Sequence, residues 1–167
     1  LYDDDPPWPP LADGQGPSLQ LIDATQDNSR VSNWSDGSGW RFYSTNANVG
    51  SSGGSRLSFY IDTGGGDTFL DDISFAQENT PGSGTNVLSN ASFESGLASW
   101  GIGLLATNSV VITNDAHSGN QCLHLINKPG GASLTTFYQD IAAVTKSTNY
   151  TLSFWYRLGA SGTNLTA

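Results

Sequence analysis

Apolar and polar residues alternate along this chain in short runs, at the period of two that a half-buried β-strand requires. In Arg56–Asp62, the side chains of Leu57, Phe59 and Ile61 share one face. Gly64, Gly65, Gly66 and Asp67 mark a turn, and Thr68–Phe75 forms a second run, so the spacing predicts a β-hairpin. Further strands are predicted at Val87–Ser89, Ser109–Thr113, Gln121–Ile126, Thr135–Ile141 and Asn149–Arg157. In the last, Tyr150, Leu152, Phe154 and Tyr156 point one way, and Thr151, Ser153, Trp155 and Arg157 the other. A shorter alternation occupies Ser18–Asp23. No stretch has the length and the Ala, Leu, Glu and Lys content of a good helix, so the expected class is all-β.

Breakers divide the chain into four parts. Prolines gather in residues 1–34, including the Pro7-Trp8-Pro9-Pro10 cluster, and make that stretch extended and irregular. Residues 35–78 hold the predicted hairpin, and residues 79–86, with Pro81, Gly82 and Gly84, read as a linker. Residues 87–167 carry the remaining predicted strands.

Composition narrows the function classes. Five Trp, six Tyr and seven Phe supply apolar area that a disordered linker lacks. The net charge of −9, with six Lys and Arg, repels phosphate backbones and anionic headgroups, so no nucleic-acid partner and no membrane insertion is expected. Cys122 is the sole cysteine, which excludes an intramolecular disulfide, and its alternating neighbours mark it as a small hydrophobe. Catalysis finds no motif: there is no Gly-x-Ser-x-Gly elbow and no His-Glu-x-x-His pattern. Glu78 and Glu94 are too few and too differently placed for a glycosidase pair, and His124 reads as a solvent-facing strand residue.

One order of segments is specific. Asn90-Ala91-Ser92-Phe93-Glu94, then Gly96-Leu97-Ala98-Ser99-Trp100, His117-Ser118-Gly119, Tyr138-Gln139-Asp140 and Tyr150–Tyr156 resemble the N-terminal part of carbohydrate-binding modules of families four and nine. Leu70-Asp71-Asp72-Ile73-Ser74-Phe75 resembles the terminal strand of the same family. The resemblance implies a galactose-binding-like antiparallel β-sandwich or jelly roll, incomplete at both ends, with 35–78 the tail of one module and 87–167 the head of the next. Residues 1–34, through Asp3-Asp4-Asp5, Pro7–Pro10 and Ala12-Asp13-Gly14, resemble the C-terminal end of a lamin-tail-like, immunoglobulin-like domain; a Pro-rich linker is the other reading.

The same resemblance implies non-catalytic binding of a polysaccharide or glycan, in an extracellular or cell-surface bacterial protein with further domains. Structural calcium is implied too, with Glu94 and Ser92 on the head and Asp71 and Asp72 on the tail, half a site in each. For sugar, aromatic faces and amides are needed, which singles out Trp155, Tyr138, Gln139 and Asn149. Trp155 has an alternative reading, as a cover for the far side of the sandwich. The alternative function is a structural or adhesive spacer. A module without its closing strands is further expected to leave unpaired edges and be marginally stable.

Overall fold

The computed structural model describes residues 8, 18–22, 24, 27–35, 39–61, 65–130, 137–142, 144–159 and 165–166. The strands are β1 (Gln20–Leu21), β2 (Trp34–Ser35), β3 (Arg41–Asn48), β4 (Arg56–Ile61), β5 (Gly66–Ala76), β6 (Gly101–Ile102), β7 (Val110–Ile112), β8 (Cys122–Asn127), β9 (Phe137–Asp140), β10 (Asn149–Leu158) and β11 (Leu165–Thr166). Among the described residues the only helical pieces are two 3-10 turns, at Val31–Asn33 and Leu104–Ala106, and no helix is long and apolar enough to cross a membrane. The all-β class stands.

Two sheets make the sandwich. One has five strands in the order β3-β10-β5-β8-β7, and the other four in the order β11-β4-β9-β6. All described pairings in both are antiparallel. A separate pair, β1 with β2, lies in the N-terminal region. The Asp3–Asp5 run and the Pro7, Pro9 and Pro10 prolines lie outside the described residues.

Three expectations change. First, β4 and β5 do not pair: β4 belongs to the four-stranded sheet and β5 to the five-stranded one, so the chain turns a corner from one sheet to the other between them and the two strands make no hairpin. The corner lets Phe59 of β4 and Leu70 of β5, both fully buried, enter the same core. Gly65 has φ +73°, and a side chain there would crowd the Asn127 carbonyl at 2.8 Å. Second, Val87–Ser89 is no regular strand. Its backbone is held by Val87 N–H to the Phe75 carbonyl and by a reciprocal pair between Ser89 and the Gln139 amide.

Third, the segments read as the tail of one sandwich and the head of another share both sheets. β5 runs between β10 and β8, Leu152 opposite Phe75 on one side and Leu70 opposite Leu123 on the other. β4 likewise pairs β9, with Phe59 opposite Phe137. The strands expected to be missing are supplied from the N-terminal side, which fills the predicted gap.

The core between the sheets holds Phe59, Leu70, Ile73, Phe93, Trp100, Leu123, Leu125, Phe137, Leu152 and Phe154. Phe59 stacks on Phe137 with centroids 4.6 Å apart, and Trp100 lies 4.7 Å from Phe137. Burying each such side chain contributes about 1.5–3 kcal/mol, so this layer is the main stabilising term. A second, smaller cluster of Trp40, Phe42, Cys122 and Trp155 covers the outer face of the five-stranded sheet.

Candidate functional site

The local device that shapes the site is a bulge in β5. Between the Trp155–Asp71 and Ser153–Ser74 pairs, Asp72 and Ile73 oppose the single residue Phe154. Asp72 takes φ +48°, a left-handed conformation that Asp tolerates better than most residues. The bulge frees the Ile73 N–H to bond the Ala91 carbonyl, and it turns both carboxylates toward the 117–118 loop.

There they act as a clamp. Asp71 Oδ2 accepts the backbone N–H groups of His117 and Ser118 at 2.9 and 3.1 Å, and its Oδ1 accepts the Asp72 N–H at 2.8 Å. Asp72 Oδ2 lies 2.8 Å from His117 Nδ1, and its Oδ1 accepts the Ser118 hydroxyl at 2.8 Å. At the other end of the loop, Glu94 Oε1 accepts the Asn120 and Gln121 N–H groups at 2.8 and 2.9 Å. Burial, and then the charge of Asp72, push the Asp71 carboxyl up to about 7 against the pull of the three amides.

The four residues expected to hold calcium are therefore brought to neighbouring places. Asp71, Asp72 and Glu94 bracket one loop, and Ser92 sits in the turn before Glu94. A calcium ion needs six to eight oxygens at one point. Here both Asp71 oxygens and both Asp72 oxygens already engage donors, and among the described residues no three His, Cys, Asp or Glu side chains could hold an ion together. As placed, these groups fit an amide clamp and not a coordination shell.

The residues expected to hold sugar are not brought together. Trp155 is 3% exposed: His117 stacks on it at 3.9 Å, and Phe42 packs at 5.3 Å. Tyr138 lies on the other sheet, one face against Gly101 and the other under the Arg56 guanidinium at 4.0 Å. Gln139 is buried and serves the Ser89 backbone. Asn149 is exposed at the start of β10, where its Oδ1 accepts from the Asn48 amide.

What the alternation did not reveal is a row across the outer face of the five-stranded sheet. Register places Arg157, Phe69, His124 and Val110 opposite one another on β10, β5, β8 and β7. Phe69 stacks on His124 at 4.2 Å, and the Arg157 guanidinium stands 4.2 Å from the Phe69 centroid. His124 Nε2 lies 2.9 Å from Asp67 Oδ2, and Arg157 pairs with Asp115. The Arg157 Nε is buried without a hydrogen-bond partner. His124 and Arg157 each keep about a quarter of the side chain exposed, at 23% and 24%. Parity along β10 had placed Arg157 beside Trp155, but its neighbours come from strands far away in sequence.

The one thiol is not activated as a nucleophile. Burial, then the charges of Asp71 and Asp115, push the Cys122 thiol up to about 12, so it stays protonated. Glu78 is buried and its carboxylate caps Gly82, Ser83 and Gly84.

No curated protein and no solved structure matches the chain. Residues 85–166 match the protein family described as a carbohydrate binding domain, a span that contains β6 to β11.

Proposed function

We propose that the sandwich is a non-catalytic polysaccharide-binding module, and that the glycan lies on the outer face of the five-stranded sheet. The observation that carries this is the Arg157–Phe69–His124 row, three flat side chains stacked on one another so that their edges line the face, with Asp67 hydrogen-bonded to His124. Flat apolar edges beside guanidinium, imidazole and carboxylate groups suit a sugar, whose hydroxyls need donors and acceptors next to its C–H faces. The family match over 85–166 supports the same class of ligand. In this reading Trp155 acts from below, as a support under His117, and the setting is extracellular.

The test is amide chemical-shift mapping with soluble oligosaccharides. Perturbations are expected to cluster at Asp67–Phe69, His124 and Arg157. Shifts confined to Arg56–Tyr60 and Tyr138, on the opposite sheet, would move the site there and overturn this assignment.

A second reading, a structural spacer, is favoured by one observation. Trp155 and Phe42 pack against each other and against His117 instead of facing solvent. Absence of any shift with every oligosaccharide would decide for it.

A further inference from the structure

The span that matches the carbohydrate binding domain does not contain its own central strand. Residues 85–166 supply β7, β8 and β10 to the five-stranded sheet, while β3 and β5 come from before that span. Without β5, strand β10 would have no partner on that side, and β8 would keep only β7. We propose that residues 87–167 form an acceptor for an in-chain donor, residues 40–76, and that the two recognise each other independently of the link between them.

Recognition has two parts. On the inner face, Leu70 and Ile73 of the donor are fully buried, and Phe75 packs against the same cluster, which the acceptor lines with Leu123, Leu152 and Phe154. This is the alternation of a strand added to a sheet, with backbone hydrogen bonds on both edges. At the loop, Asp71 and Asp72 fix the register, because only this pairing delivers both carboxylates to His117 and Ser118. A slip of one residue would send Leu70 and Ile73 to the outer face and remove the Asp pair from the loop.

The link is a short fold-back that adds little of this. Residues 79, 80 and 82–85 are exposed, and within the link the Ala76–Asn86 bridge and the Glu78 carboxylate on Gly82, Ser83 and Gly84 are local. The Glu78 carbonyl, which stays with the donor piece when the chain is cut after Thr80, accepts from Asn46 of β3 and Thr151 of β10. Under the reading of function above, joining the halves also assembles the glycan face, since Asp67 and Phe69 belong to the donor and His124 and Arg157 to the acceptor. The inference itself does not depend on any glycan.

The experiment uses the full chain with a protease recognition sequence inserted after Thr80. The uncut protein is first shown to melt cooperatively. After cutting, the two pieces are expected to co-elute at the position of the uncut chain, to separate in denaturant, and to rejoin on dilution, with a melting temperature that now rises with concentration. Pieces that part under native conditions as soon as the link is cut would overturn the proposal. A second chain carrying Asp71→Ala and Asp72→Ala tests the register lock: its pieces are expected to dissociate at concentrations at least tenfold higher than the parent. Equal association of both would refute the role of the Asp pair. Oligosaccharide retention is measured separately on the uncut chain, so failure of glycan binding leaves this result unaffected.

Discussion

Asp71 concentrates the physical tension of the molecule in one side chain. It is fully buried, carries no cationic partner among its hydrogen bonds, and both of its oxygens accept backbone N–H groups. Asp71→Asn would turn an NH2 group toward one of those amides, leaving a buried donor unpaired. The expected cost is about 2–3 kcal/mol, read from a urea midpoint. By contrast, Arg56→Gln breaks the exposed ion pair with Asp140 and is expected to leave the midpoint unchanged. The same Asp71 sets a pH dependence. Its carboxyl sits at about 7 in the fold against an ordinary 3.8, so the native state holds the proton more tightly than the unfolded chain. Its contribution to stability is then full below pH 3.8 and lost as pH rises through about 7. Denaturation at pH 5 and pH 7.5 should show the wild type losing stability relative to Asp71→Asn at the higher pH; a gain would contradict the burial argument.

At the scale of elements, the loop 117–121 is shaped by two carboxylate clamps and one glycine. Gly119 has φ +61°, and a side chain there would run into the Glu94 carboxylate. Gly119→Ala is expected to expel Glu94 and expose the Asn120 and Gln121 amides, seen as faster hydrogen exchange at those two positions. Unchanged protection would show that Glu94 does not hold the loop. Many of the strands were legible in the sequence, but β3, which pairs β10 from Arg41 to Asn48, was not, nor were the short β2, β6 and β11, and the strand expected at Val87–Ser89 is none. Leu152 and Phe154 enter the core and Trp155 faces away from it, as alternation in β10 required. The pairing of those strands was not legible. Two alternating runs about a glycine turn look the same whether they lie in one sheet or turn a corner between two, and Phe59 and Leu70 sit in one core only because the corner was made. For the same reason the row of Arg157, Phe69 and His124 could not be read, since each comes from a different strand and only the register aligns them. The burial of Trp155 depends on His117 and Phe42, distant in sequence, and no local pattern announces such a cover.

The molecule as a whole joins two stretches that look like parts of different sandwiches. One main core and two sandwich sheets result, with the Asp71–Asp72 carboxylate pair locking the two stretches together and the candidate glycan face spread across the join. The acidic surface, at net −9, opposes polyanionic ligands and leaves neutral polymers as the natural trial set. The most direct measurement is retention of the full chain on a panel of insoluble neutral polysaccharides, beside Phe69→Leu, which keeps apolar volume at that position but removes the flat ring. The account predicts that the wild type is retained on at least one polymer and that Phe69→Leu, melting cooperatively, binds it about tenfold more weakly, as expected for loss of a central aromatic anchor. Equal retention of the two, or a folded wild type that passes through every polymer, would contradict it.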